Sequence, residues 1–369
     1  MIFPLEMAIP FGKPVTPCEG HGKLAQRAEE TMMSGNLTFG YLYDFRNPPH
    51  WHREWSAHYA ELIDFAVWSE SAGFHAAWFP EHHLASDGYL PSPLLACAAV
   101  AARTSTIRLG SAVALAPLYN PVRFATDCAV LDAIAGGRLE MTLAIGYRRR
   151  ETQAFGADFT KRGAMFGEFL EIITRLWAGE TVTFAGKFYD IKDAHLSPPA
   201  PRGRIPLYIG GFVPKAMERV AQWADGYFGN IEAAPLYLEK LREAGKDVGK
   251  ASMRLPELFT VVTNDKEQAW EELAPHFHHV NNTYGEMAAE DQALGVDGDR
   301  GLEAMSLEAF KASGIMRVLS PGEAIDLFKG MQERAPVDHI MLGIPPGLPS
   351  ERFKPYAELF AREVIPAFA

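Results

Sequence analysis

The chain has 369 residues, 48% of them hydrophobic and 22% charged, with a formal net charge of −11. Those proportions suit a globular protein with a large core, and the acidic balance argues against a general nucleic-acid or anionic-membrane partner, whose phosphates would repel it. Cys18, Cys97 and Cys128 are too widely spaced for a CxxC pair, and there is neither a run of roughly 18 apolar residues nor a signal-peptide pattern, so a reduced cytoplasmic protein is expected.

Residues 1–35 carry Pro4, Pro10, Pro14 and Pro17 and a short helix-prone run from Lys23 to Met33; they are expected to form an arm outside one domain spanning 36–369. Leu37 to Tyr43 reads as a first strand, closed by Asn47-Pro48-Pro49. Trp55 to Gly73 is helical in period, with Tyr59, Leu62, Ile63, Ala66 and Val67 on one face. A second strand, His75 to Phe79, runs into Pro80-Glu81-His82-His83. A helix over Pro93–Ala102 and a third strand over Ile107–Ala114 follow, then a helix from Pro121, a residue suited to the first helical position, to Ala135. Strand four is Leu139 to Ile145, ending in Gly146-Tyr147-Arg148-Arg149-Arg150. The alternation then breaks: an amphipathic helix over Arg162–Ala178, a hairpin over 181–191 and a Pro-rich link to Pro206 read as an insertion. Leu207–Ile209, Gly226–Phe228, Leu258–Val262 and Val337–Gly343 complete eight strands, with a polar, irregular stretch over 276–314 before the last. Alternating strands and helices in this number predict a (β/α)8 TIM barrel with insertions after strands four and seven.

In such a barrel the chemistry sits at the carboxyl ends of the strands, which singles out the acid and histidines after Phe79. Side chains alternate along a strand, so His82 faces away from Glu81 and His83, and the three cannot converge on one metal. Imidazole titrates near neutrality, so His82 directed into the mouth is the expected acid–base group; the bland alternative is a buried histidine satisfied by a carbonyl. His276, His278 and His279 lack the spacing of a zinc site, and no metal is expected. Gly210-Gly211, between an apolar strand and a helix, offers unpaired N–H groups and a positive dipole end suited to a phosphate; the alternative is a plain turn. Phe39, Tyr41, Trp78 and Tyr147 lie near strand ends and are candidates to line an apolar substrate pocket, although aromatics at such spacings are more often core. Gly20-His21-Gly22 has no strand before it and is no dinucleotide site.

Taken in order, Trp78-Phe79-Pro80-Glu81-His82-His83, Ile107 to Val113, Asn120-Pro121-Val122-Arg123, Gly136-Gly137-Arg138-Leu139, Glu151 to Gly156 and Pro206 to Gly211 resemble the luciferase-like flavin monooxygenases over roughly residues 36 to 230. The resemblance implies reduced flavin at the strand ends and activation of O2. The Asn-Pro-Val-Arg loop looks like that of FMN users. The resemblance places a non-proline cis peptide at Ala112-Val113 beneath the flavin ring, and flavin contacts at Gly146, Tyr147, Gly210, Gly211 and Phe212. Two departures stand out: Ile145-Gly146 where relatives often place an arginine before the glycine, and no hydroxyl residue in Phe212-Val213-Pro214-Lys215.

The expected function is therefore an FMNH2-dependent monooxygenase acting on a small organic substrate. With no nicotinamide site, a separate reductase supplies the FMNH2, and a homo- or heterodimer is expected. The alternatives are a deazaflavin (F420)-dependent oxidoreductase and a catalytically silent flavin-binding barrel. The 276–314 stretch is a candidate lid that keeps water from the site.

Overall fold

The computed structural model describes residues 36–296 and 302–369; the arm expected over 1–35 lies outside the described residues. Eight parallel strands close on themselves in chain order: β1 (Thr38–Leu42), β2 (Ala76–Phe79), β3 (Arg108–Ser111), β4 (Leu139–Ala144), β5 (Leu207–Gly210), β6 (Gly226–Phe228), β7 (Met253–Glu257) and β8 (Val337–Gly343). β8 returns to pair with β1, Thr38 facing His339 and Leu42 facing Gly343.

Local chemistry accounts for the helix starts between these strands. α1 (Trp55–Ser71) is capped by the Glu54 carboxylate, which accepts from the N–H groups of Ser56 and Ala57. α2 (Pro93–Ala101) opens on a proline. α3 (Pro121–Ile134) opens on another, behind an Asn120 side chain that accepts from Val122 and Arg123 N–H. The insertion after β4 holds α4 (Arg149–Ala154), α5 (Arg162–Trp177) and an antiparallel hairpin, Val182–Ala185 with Asp190–Ala194. α6 (Pro214–Trp223) and α7 (Ala234–Glu243) follow β5 and β6.

The insertion after β7 departs from expectation in two ways. Strand seven is Met253–Glu257, whereas Thr260–Val262 pairs with Arg317–Leu319 in a separate two-stranded sheet. Pro256 disguises the true strand, since proline removes a ladder donor. Much of the stretch read as irregular belongs to α8 (Lys266–Ala293), 28 residues long with Pro275 inside it. Its buried residues Ala269, Leu273, Phe277, Val280, Tyr284 and Met287 recur at helical spacing, and that stripe outweighs one proline and a polar outer face. After α9 (Leu307–Ala312), α10 (Pro321–Arg334) and α11 (Ser350–Glu363) close the ring.

Strand alternation sorts the aromatics. Leu42, Pro80, Ala144, Phe228, Pro256 and Met341 line the barrel mouth. Residues two positions earlier, among them Trp78, Thr142, Arg254 and His339, form the layer beneath. Phe39 and Tyr41 are out of phase with Leu42 and point into the helical shell. Phe39 packs on Phe328, Phe360 and Phe368 at 5.3, 5.1 and 5.4 Å, and Tyr41 on Phe74 at 4.6 Å. The expectation that these two line a substrate pocket is corrected: they are core between barrel and helices.

Candidate active site at the barrel mouth

His82 leaves β2 at the mouth and is buried. Its Nδ1 lies 3.0 Å from Glu151 Oε1, on α4, and the same oxygen accepts from the His83 N–H at 2.9 Å. A carboxylate only accepts, so Nδ1 carries the proton of the neutral ring and Nε2 keeps its lone pair. Burial pulls the His82 pKa down, and the neighbouring Glu151 carboxylate partly offsets this by raising it. Despite its own burial, Glu151 is held below the usual carboxylate range, chiefly by His82. The pair thus presents an oriented, neutral imidazole with its unprotonated Nε2 at the mouth. The Tyr147 hydroxyl stands 3.5 Å from that nitrogen.

Glu81 also lines the mouth, and it bonds His83 at 2.8 Å; with the strand ending at Phe79, alternation does not separate it from His82 in the way expected. Glu81 also accepts from the Leu115 N–H at 2.7 Å and the Tyr119 hydroxyl at 2.9 Å, tying the loops after β2 and β3 together. Burial pushes its carboxyl up. Among the described residues no group of three or more acids, histidines or cysteines is arranged to hold a metal.

The opposite wall is aromatic. Tyr89 lies against His82 at 4.5 Å between ring centroids, and its hydroxyl meets that of Tyr284 on α8 at 2.6 Å. Buried Arg46 stacks on Tyr89 at 3.8 Å and is paired with Asp87 at 2.5 Å and Asp44 at 3.3 Å. Burial raises Asp44 to about 6. Asp87 also accepts from or pairs with His279 Nε2 at 2.9 Å, so α8 is tied to the loop after β2 at two points. A third tie comes from the arginine run: Arg148 and Arg150 both pair with Glu290 near the end of α8. In this arrangement those two arginines hold α8, and Arg149 stacks on Phe159 at 5.4 Å.

Of the expected cofactor residues, Ala112, Val113, Gly146 and Tyr147 all line the mouth, and the Ala112-Val113 peptide is cis. Gly210 abuts them: a Cβ built on it would lie 3.8 Å from Val113. Gly211 has φ +150°, and a Cβ there would stand 2.6 Å from Ala216 Cβ of α6, so only glycine is comfortable at that helix start. α6 begins with no side chain capping its N–H groups, and Phe212 belongs to the loop leading into it. Trp78 is inside the barrel but one layer below the mouth, with Nε1 donating to His339 Nε2 at 2.8 Å; it is not a wall of the pocket.

Sequence reasoning missed Glu151, Tyr89, Tyr284 and Arg46 as members of the site. Glu151 carried a signal, an acid directly after three arginines in an acidic chain. Tyr284 was hidden in the stretch read as irregular.

The luciferase-like monooxygenase family model matches residues 37–338. The oxygenase component of the flavin-dependent trigonelline monooxygenase of Acinetobacter baylyi is 26% identical over 332 residues, 84% of this chain and 90% of that protein. The F420-dependent glucose-6-phosphate dehydrogenase of Kineococcus radiotolerans is 33% identical over 204 residues, 53% of this chain and 59% of that protein. The first curated relatives are thus matched over only 45% and 59% of their own length. The crystal structure of monooxygenase RslO1 from Streptomyces bottropensis superposes with a TM-score of 0.73 at 24% identity, covering 90% of this chain and all of that one, which shows a shared fold.

Proposed function

Because the chain belongs to the luciferase-like monooxygenase family, and so to the oxidoreductases, we propose that it is an FMNH2-dependent monooxygenase. In this reading a separate reductase delivers the FMNH2, and one atom of O2 is transferred to a small organic substrate. The observation that carries the reading is the His82–Glu151 pair, which presents one unprotonated ring nitrogen, met by the Tyr147 hydroxyl at 3.5 Å, at a mouth lined by Ala112 and Val113. A monooxygenase from Acinetobacter baylyi that is similar along nearly its whole length adds support.

The residues present fit a flavin. Gly210, Gly211 and Phe212 lead into the uncapped N-terminus of α6, where backbone N–H groups and the helix dipole suit a phosphate. Small Ala112, Gly146 and Gly210 leave a shallow surface for a planar ring. The mouth encloses about 30 Å3, against roughly 300–1,000 Å3 for small-molecule sites. Entry therefore requires Tyr284 and α8 to move, which makes α8 the lid. Bound reduced flavin supplies the electrons that activate O2. His82 Nε2 accepts a proton there, Glu151 holds the ring in the tautomer that can do so, and the Tyr89–Tyr284 wall excludes water once closed.

A second reading, hydride transfer with reduced F420, is favoured by the 33% identity to an F420-dependent dehydrogenase. Anaerobic equilibrium dialysis against FMNH2, reduced riboflavin and reduced F420, followed by admission of O2, separates the readings. The expected order is FMNH2 tightest, riboflavin much weaker, and O2 consumed on mixing. Tighter binding of F420 with no O2 uptake supports hydride transfer instead. Equal affinity for FMNH2 and riboflavin would remove Gly210, Gly211 and Phe212 from the site. A Gly211→Val variant is not a clean probe, because the clash with Ala216 would disturb α6 itself.

A further inference from the structure

Arg148 stands between α8 and the His82–Glu151 pair. Its Nη2 pairs with Glu290 near the end of α8, and its Nη1 lies 4.0 Å from Glu151 Oε1. That oxygen already accepts from His82 Nδ1 at 3.0 Å and from the His83 N–H at 2.9 Å. Arg148 thus has one acid on the lid, which holds it closely, and one beneath the imidazole, which it only approaches. The two acids differ in setting: the Glu290 side chain is 48% exposed and that of Glu151 2%. Glu290 can pass into water when the end of α8 lifts, and half-exposed Arg150, which shares it at 3.4 Å, can follow. The Arg148 guanidinium cannot, because it is as buried as Glu151 and its Nε has no hydrogen-bond partner. A buried charge that loses its partner is costly, so it turns to the acid that remains.

We propose that Arg148 couples the lid to the base. With α8 in place, Glu290 keeps the guanidinium off Glu151; when α8 lifts, Arg148 closes on Glu151 and competes for the oxygen that holds His82 Nδ1. The coupling rests on the roles proposed above for α8 as lid and His82 as proton acceptor. A carboxylate oxygen that takes on a close guanidinium bond gives less to the imidazole N–H it already holds. While the mouth is open the ring is therefore neither fixed in one tautomer nor kept basic, and closure restores both. The other groups around His82 do not carry this link. Arg46, whose charge also pulls the His82 pKa down, is held by Asp44 and Asp87. Glu81 is taken up by His83, the Leu115 N–H and Tyr119. Tyr89, Tyr147 and Tyr284 face the ring as phenols, and burial pushes Tyr89 and Tyr284 further from ionising. Arg148 is thus a positioning residue that acts through Glu151.

The imidazole 15N shifts of His82 in the full chain without cofactor test it, with His82→Gln assigning the signal. At neutral pH the wild type should show Nδ1 protonated and Nε2 bare. Glu290→Ala, at an exposed position, releases Arg148 without touching the mouth. It should mix the two tautomers and lower the His82 pKa by about one pH unit, the low end of what a neighbouring charge does. Glu290→Ala with Arg148→Met removes the competing cation and should return the Nδ1–H tautomer, with the pKa at or above that of the wild type. Glu290→Gln, which keeps an acceptor for Arg148, should fall between the wild type and Glu290→Ala, and it keeps the test decisive if the double variant does not fold. Unchanged shifts and pKa in Glu290→Ala, a folded double variant that still behaves like Glu290→Ala, or a Glu290→Gln effect as large as that of Glu290→Ala would each overturn the proposal. None of these readings needs flavin or turnover, so their failure leaves the proposed monooxygenase standing, and failure of the flavin and O2 tests leaves the link from Glu290 to His82 measurable.

Discussion

The mouth of the barrel and the layer beneath it are both buried, and each is organised around a histidine. In the lower layer Trp78 donates to His339 Nε2 at 2.8 Å, His339 Nδ1 lies 2.7 Å from Thr38 Oγ1, and Thr38 donates to the Asp338 carbonyl at 2.9 Å. Every donor in this chain has an acceptor and the direction is fixed, so His339 is neutral; burial and the Arg254 charge push its pKa well below 6.5. Beside it, Glu140 is shared between Arg254 and Arg108, and Arg254 stacks on Tyr208 at 3.4 Å. At the mouth, by contrast, His82 is held closely at Nδ1, by a carboxylate from a different loop, while Nε2 meets the Tyr147 hydroxyl at a long 3.5 Å. A histidine held by two close hydrogen bonds stabilises a core. One held closely at a single nitrogen, with its unprotonated nitrogen in a long contact at the mouth, can move a proton.

The contrast is broken most directly at His82. His82→Ala should cut turnover by about 10²–10⁴-fold, the usual worth of a positioned acid–base group, with FMNH2 affinity within a few-fold. Turnover at the wild-type level would make His82 a structural residue like His339. In the lower layer the effect should fall on stability instead. Arg254→Met leaves the buried Glu140 charge with the half-exposed Arg108 as its remaining cation partner, and breaking a buried pair costs up to about 3–5 kcal/mol; urea denaturation measures it. A loss under about 1 kcal/mol would mean that water or Arg108 already compensates Glu140. Trp78→Phe removes the donor to His339 and part of a buried ring; it should cost at least about 1–3 kcal/mol, the penalty of one unsatisfied buried acceptor, with a cavity added, while FMNH2 binding persists. Loss of binding with stability intact would return Trp78 to the substrate site.

The smallest effect sharpens the comparison. Glu151 raises the His82 pKa against the downward pull of burial. Activity that needs neutral His82 rises with pH through that pKa, so Glu151→Gln, which removes the upward pull, should shift the acid limb of kcat/KM to lower pH. An acid limb that stays in place or moves up would mean that Glu151 does not act through His82.

Much of this was legible in the chain itself. The strands from Leu37 to Phe228, the prolines and Asn120 that start α3, the glycines of the turns and the acid–histidine cluster after β2 are local features, written in periods of 2 and 3.6 and in turn chemistry. Strand alternation turned Phe39 and Tyr41 outward, but the phase of β1 relative to the barrel axis was needed to see it. Strand seven, the length of α8, and the partnership of residues as distant as His82 with Glu151, Tyr89 with Tyr284 and Trp78 with His339 were decided only by the tertiary structure. The reason is physical. A strand or helix is selected by its own residues, whereas a hydrogen bond between loops exists only once barrel closure brings their strand ends together. Sequence determined which side chains were available to do chemistry, and closure decided which of them kept an unprotonated nitrogen at the mouth.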